Sequence, residues 1–388
     1  MAALKAHADR KAMLEAVFDG ESGTGLGVTM EFYSLCAAEL QKSSLALWVN
    51  RANENEEGSL SEFTVNSGGL FPVPIPASAK EYLSAAEVLF SFAGRLAAKA
   101  IQDERVVDLP LSELFWKAVL GKPLRLDDYL LIDKRAAEAL LAMEDFVKKR
   151  KAILASDANE SEKLDALSKL CIVMGKDSFQ VEDLYLSMQY LPPAHNLPYD
   201  SVDLVPNGSH IEVNAENLEE FVCLSTEFIM KSGIQVQVDA FVAGFNEVFP
   251  ISTLRILSVS EIRMMLNGDR YPKWTFDELL ENIDAKNGYT KGSDHVLWFL
   301  GILAEFSPDE RKKFLRFATG CDSLPAGGIS SLTPRMTIVM KTDDPDVDMH
   351  FPSVNCCFHF IKLPAYSSQE IMKQRLLTAM ETTGFYFN

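Results

Sequence analysis

The chain has 388 residues, and its 37 Lys and Arg against 55 Asp and Glu give a formal net charge of −18. Such acidity argues against a nucleic-acid or anionic-membrane surface as the main partner, because both select clustered positive charge. A hydrophobic fraction of 47% with 10% aromatics is ample for packed cores and excludes a disordered chain.

The first twenty residues are mixed in charge and lack the apolar run of a signal peptide, and no stretch approaches the ~18 uninterrupted apolar residues of a membrane helix. Cys36, Cys171, Cys223, Cys321, Cys356 and Cys357 are scattered apart from one adjacent pair, with no C-x-x-C. Neither a disulfide framework nor a metal site is expected. Reduced thiols fit a cytoplasmic and/or nuclear protein.

Residues 1–150 read mostly as helix, with apolar stripes through Phe32, Leu35, Cys36, Ala38 and Leu40 and through Leu89, Phe92, Ala93, Leu96 and Ile101. Between them, 50–69 reads as a solvated loop, and Pro72, Pro74 and Pro76 break regular structure. Lys148, Lys149, Arg150 and Lys151 form a basic run, expected to be a solvated helix face. Strand-like pieces are predicted at 184–190 and 211–213. A long helical stretch over 215–249 is interrupted at Gly233 and ended by Pro250.

An amphipathic helix is predicted over 274–283, and the polar segment 284–287 before Gly288 reads as a boundary. Helices at 295–306 and 309–318, strands at 337–340 and 358–363, and a final helix follow. That helix should bury Met372, Leu376 and Met380, with Ser367-x-x-Glu370 as its capping box.

Three features bear on chemistry. Gly23-Thr24-Gly25-Leu26-Gly27 is glycine-rich, but no clear strand precedes it and no Gly-Lys-Ser/Thr follows, so it reads as a tight turn. Cys357 and His359 hint at a thiol–imidazole couple, yet on a strand i and i+2 lie about 7 Å apart, too far for a hydrogen bond. Taken alone, Cys357 beside Phe358 and Phe360 reads as buried packing.

The run from Phe351, F-P-S-V-N-C-C-F-H-F-I-K-L-P-A-Y-S-S-Q-E, and the ending G-F-Y-F-N change that reading. They resemble the carboxy-terminal lobe of HECT-type E3 ubiquitin ligases, whose pattern is Thr-Cys-Phe/Val-Asn, then Leu-Pro-x-Tyr-Ser-Ser, a helix and a terminal Gly-Phe. Leu363-Pro364-Ala365-Tyr366-Ser367 fixes the register, so the resemblance assigns the thioester cysteine to Cys357. Further blocks recur in the family's order: Glu31-Phe32-Tyr33, Phe92-Ala93-Gly94-Arg95 with Lys99-Ala100, Val181-Glu182-Asp183-Leu184, Phe241-x-x-Gly244-Phe245, and Phe314-Leu315-Arg316-Phe317-Ala318-Thr319-Gly320. The glycine run and Leu332-Thr333-Pro334-Arg335-Met336-Thr337-Ile338-Val339 look most like the branch that degrades ubiquitin-fusion substrates. Two residues depart from the pattern: Cys356 replaces the Thr before the nucleophile, and His359 replaces the Asn two residues after it.

The resemblance implies an α+β bilobal fold. A larger, mostly helical N-lobe would span 1–283, with an E2-binding subdomain at about 134–232. A flexible hinge would lie at 284–287, and a smaller α/β C-lobe at 288–388. Ubiquitin-charged E2, ubiquitin and protein substrates are the implied partners, with no cofactor, metal, nucleic acid or membrane. Ala136, Leu140, Met143, Phe146, Leu184, Leu186 and Phe221 fall on the family's E2 groove, and Phe385 on its terminal phenylalanine, with a role in the lysine-transfer step. Asp343, Asp344, Asp346, Asp348 and the carboxylate of Asn388 are candidates to assist the lysine. The alternative function is a catalytically impaired E2- or ubiquitin-binding scaffold of the same fold.

Overall fold

The computed structural model describes residues 4, 6–20, 25–50, 62–64, 66–192, 197–269, 272–341, 346–356 and 358–381. Most are helical. In chain order come α1 (Leu26–Leu40), α2 (Lys80–Gln102), α3 (Glu113–Val119), α4 (Leu126–Tyr129), α5 (Lys134–Ala155) and α6 (Glu160–Ser168). Four short strands follow, β1 (Ile172–Met174), β2 (Asp177–Phe179), β3 (Gln189–Tyr190) and β4 (Val202–Asp203). Next are α7 (Leu218–Met230), α8 (Gln235–Asn246), α9 (Val259–Asn267) and α10 (Phe276–Asn282). The remainder is mixed: β5 (Asp284–Lys286), α11 (Asp294–Glu305), α12 (Pro308–Thr319), β6 (Thr337–Lys341), β7 (Ser353–Asn355), β8 (Phe360–Pro364) and α13 (Gln369–Glu381).

The described chain forms two compact units, one of residues 1–39, 96–109 and 256–388, the other of 40–95 and 110–255. In the second unit the core is aromatic. Trp48 meets Phe90 edge-on at 4.8 Å, and Phe115 meets Phe241 at 5.1 Å. Two of the sequence blocks explain each other here. A Cβ on Gly94 would lie 2.0 Å from the Phe241 carbonyl oxygen, and one on Gly244 would lie 1.9 Å from that of Ser91. Only glycine lets α2 and α8 approach backbone to backbone. Arg95 locks the crossing with a two-pronged contact to Glu247, at 2.6 and 2.8 Å.

Within the same unit α5 packs on α7, and two separate two-stranded sheets, β1–β2 and β3–β4, flank them. The basic run lies on α5 as expected, with Lys148 and Lys149 paired to Glu144 and Asp145 one turn earlier. The strand expected over 184–190 is shorter: Glu182–Leu184 is a 3-10 turn, and pairing begins only at Ser187 and β3.

In the first unit, Lys99 is buried with Asp103, their charged atoms 2.9 Å apart. The ammonium also donates to the carbonyl of Ala12, and Asp103 accepts from the Leu14 amide, which ties the early segment to α2. The carboxy-terminal part surrounds a four-stranded sheet ordered β5-β6-β8-β7. The first three strands are parallel, and β7 runs antiparallel to β8. Ile338, Ile361 and Leu363 on the two central strands are fully buried under Phe299, Phe314, Met372 and Leu376 from the helices.

Two expectations meet a different structure in this part. Residues 284–286, read as hinge, form strand β5: the Asp284 amide donates to Met336, and Met340 donates back to Asn287. Trp274, Leu279 and Ile283 share one core with Val296 and Phe299, so the 283/284 boundary divides a single packed body. The capping box is shifted as well. Ser368, not Ser367, accepts from the Ile371 amide at the start of α13, while Ser367 binds Asp348.

Candidate active site

The resemblance centres on the β7–β8 hairpin, whose register pairs Asn355 with Phe360. Residues 356–359 connect the strands. Cys357 lies outside the described residues, as do Asp343, Asp344, Phe385 and Asn388. The flanking residues define the loop's anchorage.

On the incoming side, Asn355 accepts the Phe358 amide both on its backbone oxygen, at 3.2 Å, and on its side-chain oxygen, at 3.3 Å. That double acceptance closes the turn. Cys356 turns inward: its half-buried thiol lies 3.5 Å from the Phe317 carbonyl, near the end of α12. The Phe314–Gly320 block thus floors the loop, with Gly320 capping α12 in the left-handed region at φ 80°. Cys321, just beyond, has its thiol pushed up to about 12, first by burial and then by Asp322 and Asp108. Burial thus disfavours its thiolate.

On the outgoing side, His359 is 7% exposed with φ 50°. Its Nδ1 lies 2.5 Å from the Pro334 carbonyl, and its own carbonyl accepts the Thr337 amide at 2.9 Å. Burial holds its pKa below the ordinary imidazole value, the Pro334 contact opposing in part. The contact commits Nδ1 to the Pro334 carbonyl, and the structure describes no contact between this ring and a thiol.

The Leu363–Ser367 block anchors the approach to β7. Tyr366 is buried and donates its hydroxyl to the His350 carbonyl at 2.7 Å. Ser367 donates its amide and hydroxyl to Asp348 at 2.9 and 2.6 Å, and these bonds hold the Asp348 carboxyl below the usual carboxylate range. Asp348 is therefore a clasp and a weak base. Asp346 is exposed. Neither the Pro334 contact nor the Asp348 clasp was foreseeable, since both join segments about 20 residues apart through side chains of ordinary local pattern.

The residues expected from the sequence to form an E2 groove all fall in the second unit. Leu140, Met143 and Phe146 of α5 and Phe221 of α7 are buried, at 4–6% exposed. Ala136, Leu184 and Leu186 are half-buried. Between Leu184 and Leu186, Tyr185 is 93% exposed and left-handed at φ 47°.

The described residues combine a helical bulk with a small mixed sheet near the carboxy terminus, and the cysteine-bearing loop joins two strands of that sheet. The HECT-domain (ubiquitin-transferase) model matches residues 34–388. The chain is 39% identical over 415 aligned positions to the E3 ubiquitin-protein ligase hecd-1 of Caenorhabditis elegans, covering 99% of this chain and 16% of that protein. Ufd4 of Drosophila melanogaster, an E3 ubiquitin-protein ligase, is 35% identical over 100% of this chain and 16% of its own length. A probable ubiquitin fusion degradation protein of Schizosaccharomyces pombe is 29% identical over 97% of this chain. The chain belongs to the HECT ubiquitin-ligase family, in the ubiquitin-fusion-degradation branch that the glycine run and the Leu332–Val339 block indicate. It spans about a sixth of the length of the first two relatives.

Proposed function

We propose that Cys357 accepts ubiquitin from a charged E2 and passes it to a lysine of a substrate or of ubiquitin. In the first step the Cys357 thiolate attacks the E2 thioester carbonyl, a new C–S bond forms, and the E2 cysteine leaves as thiolate. In the second a lysine amine attacks the Cys357 thioester, loses its proton, and expels the Cys357 thiolate. Exchange between thioesters is nearly balanced, and a thiol with pKa ~8.5 is ionised to a few per cent at neutral pH, so no dedicated base is needed. The observation that carries this reading is the hairpin loop, tethered on both sides of position 357, on the family's own block. Cys356, its thiol turned toward Phe317, does not compete for the role.

The E2 surface is proposed on the α5–α7 subdomain. Ala136, Leu184 and Leu186, with Tyr185, supply contact area there, and the buried Leu140, Met143, Phe146 and Phe221 support it from beneath. The lobe junction, proposed at 284–287 from the sequence, is better put upstream of Trp274, whose ring packs in the carboxy-terminal core. No helix among the described residues is long and apolar enough to cross a membrane.

A charging reaction tests the proposal: E1, E2, ATP, ubiquitin and the chain should give a reductant-sensitive adduct that moves on to lysine. Absence of the adduct with a folded chain would favour the impaired scaffold instead.

A further inference from the structure

The loop that carries Cys357 has one buried polar side chain among its described residues, His359, and it is one of the two that depart from the family pattern. His359 enters the left-handed region, uncommon for a side-chain-bearing residue, though histidine tolerates it better than most. Its backbone oxygen takes the Thr337 amide, and its Nδ1 meets the Pro334 oxygen. A proline carbonyl can only accept, so the proton of this bond sits on Nδ1, and in the neutral ring Nε2 holds the lone pair. One residue thus grips the approach to β6 at two points three residues apart.

We propose that His359 is the positioning residue of the thioester loop: its Nδ1–H, donated to Pro334, fixes the exit of the turn and thereby the aim of the Cys357 thiol. The proposal rests on Cys357 as the nucleophile. It assigns His359 no proton transfer with substrate: the role asked of the ring is that of a hydrogen-bond donor to Pro334. What matters is a donor at one spot and a backbone that accepts positive φ.

Both requirements can be varied separately. Asparagine carries its amide nitrogen on Cγ, where histidine carries Nδ1, and it adopts left-handed geometry readily. Glutamine carries its amide one bond further out, where Nε2 would be. Glycine accepts the backbone angle but has no donor.

The test uses the whole chain with charged E2, measuring single-turnover formation of the reductant-sensitive adduct over a range of charged-E2 concentrations, beside thermal unfolding. His359→Asn should keep the limiting rate within about twofold. His359→Gly and His359→Gln should lower it about tenfold, the equivalent of one lost hydrogen bond, with the half-saturating E2 concentration unchanged. The rate profile between about pH 6 and 8 should be the same for His359→Asn as for the natural chain. Full-rate charging by folded His359→Gly or His359→Gln overturns the proposal. So does a His359→Asn as slow as His359→Gln, which would make the imidazole itself the requirement, or a loss confined to half-saturation. If His359→Gln fails to fold, His359→Gly decides alone. Cys357→Ala run in parallel keeps the two ideas apart: an adduct persisting there rejects the nucleophile, whatever the order of the His359 variants.

Discussion

The β7–β8 hairpin and the α5–α7 subdomain are built to opposite specifications. The hairpin stands on a sheet whose central residues, Ile338, Ile361 and Leu363, are fully buried, and Asn355, Cys356 and His359 each tether its loop to a backbone oxygen or amide. The subdomain has two separate two-stranded sheets and a helix, α6, with no buried residue. It leaves Leu164, Val173 and Tyr185 at 66%, 55% and 93% exposure. A group that must meet a carbonyl carbon at bonding distance needs a rigid seat. A docking surface needs apolar area that stays in water until a partner covers it. The hairpin differs in its tethering more than in its exposure, since Phe358 in its loop is itself 56% exposed.

The sharpest way to break this comparison is in the hairpin loop. Cys357→Ala should abolish the reductant-sensitive ubiquitin adduct entirely, whereas Cys356→Ala should retain most of it, because the Cys356 thiol is turned toward Phe317. A gel run with and without reductant separates the two. Loss of charging in folded Cys356→Ala alone would move the nucleophile by one residue.

The subdomain offers the next largest effect. Phe146 is 4% exposed and Tyr185 is 93% exposed, though both lie in the region assigned to E2. Phe146→Ala should destabilise by about 3–5 kcal/mol through the cavity it leaves. Tyr185→Ala should leave the melting temperature unchanged yet weaken E2 binding by ~2 kcal/mol, about thirtyfold. Calorimetric titration with uncharged E2, beside thermal melts, reads both quantities. Equal affinities for Tyr185→Ala and the natural chain would remove that residue from the contact.

How much of this was legible from the sequence depends on what each pattern reports. Met372, Leu376 and Met380 were read as one buried face, and all three are at most 2% exposed, because apolar spacing reports burial directly. The same spacing in Leu140, Met143 and Phe146 could not distinguish a core from a groove. Gly94 and Gly244 stood out as members of ordered blocks, but that each answers the other across a helix crossing is a tertiary fact. The polar segment 284–287 shows a different limit of sequence pattern. An edge strand is held by backbone bonds, and three hydrophilic side chains say nothing about those. Ser367 and Ser368 both fit a cap, and only the nearby Asp348 decides between them.

A smaller effect is expected from Phe385, which lies outside the described residues and is assigned to the lysine-transfer step by resemblance alone. Phe385→Ala should form the Cys357 thioester at nearly the natural rate and discharge it to lysine severalfold more slowly, since positioning of the second step is what it would lose. A single-turnover chase with free lysine measures each step. Equal loss in both, or none in either, rejects the role.

The smallest effect concerns the clasp that steadies the approach to the hairpin. Asp348 accepts the Ser367 hydroxyl and amide, and Arg375 donates to the Asp348 carbonyl at 2.8 Å while lying 5.4 Å over the Phe351 ring. The two Ser367 bonds favour the ionised carboxylate and hold its pKa below the unfolded value. The folded state therefore binds the proton less readily than the unfolded chain. The stabilisation is fully present above the unfolded carboxylate pKa of ~3.9 and is lost as pH falls through the lower, folded value. Asp348→Asn keeps the shape but offers one acceptor oxygen in place of two, so its melting temperature should fall slightly below that of the natural chain at neutral pH. The gap should narrow below about pH 4, where the natural carboxyl takes up its proton. The group lies at the surface and is screened, so the size of the gap matters less than its pH dependence. A gap that stays constant from neutral to acid pH would mean that the clasp works by shape alone. Asp348 would then have no electrostatic part in holding the approach to the thioester loop.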